Sequence, residues 1–179
     1  MKKQDIRADI ARRIALGEGK SSIFQALKGQ DLSDSSLANL LASHPDPKLL
    51  TQHAGYVKVM VAIAWVQLIL GVLIGLSLVM KTGAVVGLLI AALIGGLAYC
   101  FVWGFQRNRA WAYNVSIVLS IINLPKALND VSTEPVSSMV GLTLSVAWIA
   151  YTWFVRSKLF PDFVFLGPRK VGNSYQFSN

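Results

Sequence analysis

Cysteine, histidine and charge are what this chain has least of, and each scarcity removes a class of protein. Cys100 is the single cysteine, so an intrachain disulfide cannot form and a cysteine-based zinc cluster is excluded. On its own it reads as a small packing residue. His44 and His53 are the only histidines; they have no cysteine nearby and no metal-ligand spacing. Charged residues make up 15% of the 179 positions against 54% hydrophobic ones, which is too apolar for an ordinary soluble domain of this size. With no paired carboxylates and no histidine inside an apolar stretch, the sequence nominates no general base, nucleophile, cofactor or metal. The expectation is a non-enzymatic protein.

What the chain has instead is long apolar sequence. Four runs are free of charge: Val59 to Met80, Thr82 to Gln106, Ala110 to Pro125 and Pro135 to Val155. At about 1.5 Å per helical residue, all but the third reach the roughly 30 Å of a bilayer's hydrocarbon layer. The third is expected to continue past Pro125 toward Leu128, with Lys126 snorkelling to the headgroups. The predicted fold is all-α: a polytopic membrane protein whose four transmembrane helices form a bundle, preceded by a small amino-terminal cytoplasmic helical segment. Residues 1–55 make that segment, with about three short helices. Spans run over about 57–80, 83–105, 110–128 and 135–155, and residues 156–179 form an aromatic and basic cytoplasmic tail. The first twenty residues are charged and lack an apolar core, so the first span is expected to stay as an anchor rather than be cleaved as a signal peptide.

The cations set the orientation. With both termini in the cytoplasm, Lys81 and Lys126 alone of the 17 basic residues fall outside, the bias expected of inner-membrane topology. Removing the short third run would move Arg156, Lys158, Arg169 and Lys170 outside and spoil it, so four spans fit better than three. Trp103, Phe105, Trp111 and Tyr113 flank the inner turn, with Tyr151 and Trp153 at the same depth, as in an interfacial aromatic belt. The layout is similar to that of many small bacterial inner-membrane proteins, a likeness that covers the whole chain without a specific motif.

Residues 1–55 read as amphipathic helices. Ile6, Ile10 and Ile14 share one face until Gly17, Glu18 and Gly19 end the first helix. A short second helix is expected over Ser22 to Lys28, with Ser22 and Gln25 at capping-box spacing and Gly29 closing it in a left-handed conformation. The third follows Ser33, puts Leu37, Leu40 and Leu41 on one face, and ends by His44 because Pro45 disfavours helix before it. Asp46 and Pro47 then start a helix that is predicted to run to Met80 and to bend at Gly55. Beyond the last span, Leu159, Phe160, Phe163, Phe165 and Leu166 are too interrupted by Pro161 for a fifth span. They are expected in the headgroup region or docked on the amino-terminal helices.

Within the spans, Gly83, Gly87, Ala91 and Gly95 recur every four residues, with Ala92, Gly96, Cys100 and Gly104 beside them; the first span offers Ala64, Gln67, Gly71 and Gly75. Small residues at this spacing let two backbones approach closely. The predicted use is packing of spans one and two within a chain, the alternative a homo-oligomer. Gln67, Ser116, Ser120, Asn123, Ser145 and Thr152 are the candidate intramembrane polar contacts, expected to bond between helices at about 0.6 kcal/mol each. No ionisable residue lies deep in a span, which disfavours ion-coupled transport.

Two weaker patterns fail on their chemistry. Gly17 to Ser21 spells half of a phosphate-binding loop, but Ile14 stands where its first glycine belongs. The apolar positions Ile14, Gly17, Ile23, Leu27, Leu37 and Leu41 resemble the skeleton of helix-turn-helix domains, yet Asp34 to Ser43 carries no Lys or Arg to meet DNA. Nucleic acid is therefore not an expected partner. The bilayer is, including anionic headgroups of the inner leaflet facing Lys2, Lys3, Arg7, Arg12 and Arg13. A membrane or cytoplasmic protein partner is also expected. The functional expectation is an accessory or scaffold protein that presents its cytoplasmic helices to that partner; the alternative is a small transporter or channel subunit acting as an oligomer.

Overall fold

The computed structural model describes residues 3–29, 32–129, 135–164, 167–172 and 174–178. Lys2, Phe165 and Leu166, all named above, lie outside the described residues. Among the described residues the architecture is all-α, apart from two short antiparallel ladders in the tail.

The first three helices, α1 (Lys3–Ala15), α2 (Lys20–Leu27) and α3 (Asp34–Ala42), close over one small core. Ile6, Ile10 and Ile14 from α1 meet Ile23, Phe24 and Leu27 from α2 and Leu37, Ala38 and Leu41 from α3. Gly17, at φ 84°, lets its own amide reach Ile14 O and that of Glu18 reach Arg13 O, which satisfies the last carbonyls of α1. Ser33 caps α3 by accepting from the Ser36 amide at 3.3 Å. The predicted cap at Ser22 is corrected: α2 starts at Lys20 behind Gly19, with no side-chain cap. Lys20 is held there by a buried carboxylate described below.

Asp46 accepts from the Lys48 amide at 2.8 Å and Pro47 opens the short α4 (Pro47–Gln52). The long helix then breaks at His53 (φ −108°, ψ 15°), not at the predicted Gly55, before α5 (Ala54–Thr82) begins. Thr51 Oγ1 donates to carbonyls of its own helix at Pro47 and Lys48, a back-bond of the kind that bends a helix just past it. There follow α6 (Ala84–Gln106), α7 (Ala110–Asn129), which continues through Pro125, and α8 (Pro135–Leu159), a turn longer than the predicted span. Among the described residues three helices, α5, α6 and α8, are long and apolar enough to cross a membrane. In α7, Asn114, Ser116, Ser120, Asn123 and Lys126 dilute the apolar residues over its 20 positions.

The four long helices make two hairpins. Gly83, at φ 88°, turns α5 into α6, and the pair packs at backbone distance. A Cβ built on Gly75 would sit 2.7 Å from Ala91 Cα, and one on Gly87 only 2.3 Å from Val79 Cα. Gly71 faces Ile94 and Gly95 faces Val72. Between α6 and α7, Asn108 takes the left-handed conformation (φ 48°), so that the amides of Asn108 and Arg109 cap Phe105 O and Gly104 O. The main core joins Met60 and Ala64 of α5, Val102 and Phe105 of α6, Ala112 and Tyr113 of α7, and Val155 and Leu159 of α8. Starts of α5 and α7 thus meet ends of α6 and α8. The helices run alternately up and down, and both ends of the chain gather at one end of the bundle. Elsewhere the long helices leave Leu73, Ile74, Leu89, Leu93, Val136 and Leu144 exposed, a surface that needs an apolar medium.

Overpacking a glycine seam of this kind costs about 1–3 kcal/mol. Gly87→Leu and Gly75→Leu should therefore lower the thermal midpoint measured in detergent, whereas Gly96→Leu, where an added Cβ meets nothing within 4 Å, should leave it unchanged. Equal midpoints for all three would contradict the close approach of α5 and α6.

Candidate functional site

Between the two hairpins lies a cleft of about 470 Å³. Five of the six polar residues singled out in the spans line it: Gln67 from α5, Ser116, Ser120 and Asn123 from α7, and Ser145 from α8. Thr152 does not; it is fully buried and its Oγ1 has no hydrogen-bond partner. The spacing within α7 made its three members legible, because they fall on one helix face. The residue that sequence reading missed is Trp148, which donates from Nε1 to Ser116 Oγ at 3.1 Å across the α7–α8 hairpin.

Ser116 makes the expected bond between helices, whereas two of the six bond locally. Asn123 Nδ2 donates to Leu119 O at 2.9 Å and Ser145 Oγ to Gly141 O at 2.8 Å, each within its own helix. A hydroxyl or amide on a helix can satisfy itself on the carbonyl one turn back. The lining therefore offers neutral donors and acceptors that do not titrate near neutral pH, which suits binding and not acid–base chemistry.

Aromatic rings close the cleft toward the chain termini. Phe105 belongs both to the lining and to the buried core. It meets Tyr113 edge-on at 5.1 Å and Trp148 at 6.3 Å, and Tyr113 in turn meets Phe160 at 5.7 Å. The polar surface ends at this plug.

Beyond the plug the two chain ends are fastened together. Lys20 Nζ donates to Asp162 Oδ2 at 2.8 Å, with side chains only 6% and 2% exposed. The other carboxylate oxygen accepts from Ser178, from its amide at 2.5 Å and its hydroxyl at 2.6 Å. Phe24 of α2 meets the rings of Tyr175 and Phe177 at 5.6 and 5.5 Å. The tail is folded back to make this contact by β1 (Phe163–Val164) on β2 (Gly167–Pro168) and β3 (Lys170–Val171) on β4 (Ser174–Tyr175). So the tail docks on the amino-terminal helices through Asp162, Tyr175 and Phe177, whereas Leu159, Phe160 and Phe163 enter the bundle core. Arg156 is also buried rather than solvated: its Nε donates to Asn114 Oδ1, and its guanidinium stacks on Trp153 and Phe163. One signal for Asp162 was in the sequence, since it is the sole carboxylate among the four cations of the tail.

Among the described residues no group of three His, Cys, Asp or Glu could hold a metal ion, and Cys100 is exposed. Comparisons with protein-family models, with curated protein sequences and with solved structures returned no match to the chain.

Removing one member of a buried ion pair strands the other and costs about 3–5 kcal/mol, whereas replacing both with apolar residues is near neutral. Asp162→Asn should accordingly strip hydrogen-exchange protection from α2 and from residues 174–178 while sparing α5 and α6. Lys20→Met combined with Asp162→Leu should restore most of it. Loss of protection in the double variant equal to that in the single one would show that the charges themselves are not what holds the seam.

Proposed function

We propose that the chain is a four-pass protein of the bacterial inner membrane, with both termini in the cytoplasm. It acts as a non-enzymatic accessory or scaffold protein that holds the helical module α1–α3 rigidly at the membrane for a protein partner. The observation that carries this reading is the buried Lys20–Asp162 pair. A direct ion pair requires both residues on one side of the bilayer, hence an even number of crossings between them. Helices α5, α6 and α8 count three, and α7, at about 1.5 Å per residue over 20 residues, has the length to be the fourth. The cation distribution supports the cytoplasmic side. Fastened in this way, the module cannot swing, so a partner would meet it in one orientation.

The cleft between the hairpins favours a second reading, a transporter or channel subunit. Against it stand the plug of Phe105, Tyr113 and Trp148 and a lining without an ionisable group, where coupled transport ordinarily employs one.

Affinity purification in native lipid, run on the wild type beside Asp162→Asn, tests the scaffold role. A partner in stoichiometric amount with the wild type, and depleted with the variant, is the expected result; recovery of the chain alone would overturn the reading. Mass photometry in nanodiscs separates the alternatives, since the scaffold reading predicts the mass of one chain and a pore-forming assembly a discrete multiple.

A further inference from the structure

A second and larger groove, about 880 Å³, lies where the module meets the α6–α7 turn. Its polar lining comes from Arg7 of α1, Ser43 and His44 after α3, and Arg107, Asn108 and Arg109 of the turn, with no carboxylate among the lining residues. The three guanidiniums reach it by different routes. Arg7 is brought by the packing of α1 on α3, while the left-handed Asn108 places Arg107 and Arg109 on either side of one tight turn.

These arginines differ from their neighbours in having no acidic partner among the described residues. Arg12 and Arg13 of α1 are spent on Asp9, at 3.1 and 2.9 Å, and Lys20 is spent on Asp162. Arg12 and Arg13 thus share one carboxylate, while Arg7, Arg107 and Arg109 gather around the groove without one. The imidazole of His44 registers it: burial first, then Lys20, Arg109 and Arg7, push it below its ordinary value. Like charges gathered without a counter-ion repel, and a guanidinium is the group that binds phosphoryl oxygens in paired hydrogen bonds.

The rest of the lining matches an amphiphile. Trp103 and Trp111 flank the groove and stay 38% and 41% exposed, and Arg107 lies 4.9 Å over the Trp103 ring. Exposed tryptophans beside free arginines at the end of apolar helices mark the depth at which headgroup meets acyl chain. Asn108 adds a buried Oδ1 with no hydrogen-bond partner, an acceptor for a headgroup hydroxyl or ammonium.

We propose that this groove binds one phosphoryl group, that of an anionic phospholipid in the leaflet that the α6–α7 turn meets. The site is independent of whether α1–α3 also serve a protein partner.

The test is native mass spectrometry of the full chain released from nanodiscs of zwitterionic lipid doped with anionic phospholipid. One anionic lipid should remain on the wild type in preference to the zwitterionic one. Arg107→Gln with Arg109→Gln should weaken its retention about twenty-five-fold, a factor of about five for each cation at an anionic surface. Arg12→Gln with Arg13→Gln, which removes the same formal charge from arginines already paired, should retain it as the wild type does. Thermal midpoints in purely zwitterionic nanodiscs show that each variant is folded. Equal retention by the two double variants, or no preference of the wild type for the anionic lipid, would overturn the proposal. Displacement of the lipid by millimolar inorganic phosphate would overturn the lipid assignment and leave a site for a soluble phosphoryl anion.

Discussion

Lys20 and Asp162 are 142 positions apart in the chain, meet at 2.8 Å and are almost wholly removed from solvent. Two charges do not enter such a place independently, because either alone would carry several kcal/mol of unrelieved desolvation. Their pairing is therefore a condition on everything between them. The chain must leave residue 20, pass through every apolar helix and return to the same end. The up-and-down course of α5 to α8, the core shared by the starts and ends of those helices, and the back-folded tail all meet that condition. Removing either partner alone would leave the other charge buried and unpaired.

Polar chemistry is sorted along the bundle. In the middle of the bundle the polar residues are neutral, and Asn123 and Ser145 satisfy themselves on their own helices. At the end that holds the termini, the chain concentrates its buried or clustered charges: Lys20 with Asp162, Arg156 against Asn114 and two rings, and the three arginines that line the groove. The plug of Phe105, Tyr113, Trp148 and Phe160 stands between the two zones. This division follows from the cost of charge in hydrocarbon, and it is why the module and the cleft read as separate surfaces rather than as two mouths of one path.

What could be read from the sequence was whatever depends on near neighbours. Helix ends at Ser33, Asp46 and Pro47, the left-handed Gly29, the four-residue spacing of Ile6, Ile10 and Ile14, and the facing glycines of α5 and α6 all express local sterics or one-turn periodicity. Two features escaped for the complementary reason. Lys20–Asp162 is a long-range partnership that no spacing encodes. Arg156 looked like a loop cation because it follows an apolar run, yet α8 continues past it and tucks it between Trp153 and Phe163. In each case tertiary packing decided among states that the local sequence leaves close in energy.

The most direct measurement is the compartment of each chain end in the living cell, read by reporters fused at Met1 and, separately, at Asn179. The account predicts that both report from the cytoplasm, as an even number of crossings between Lys20 and Asp162 demands. Reporters active in opposite compartments would contradict it, because no ion pair can form across a bilayer.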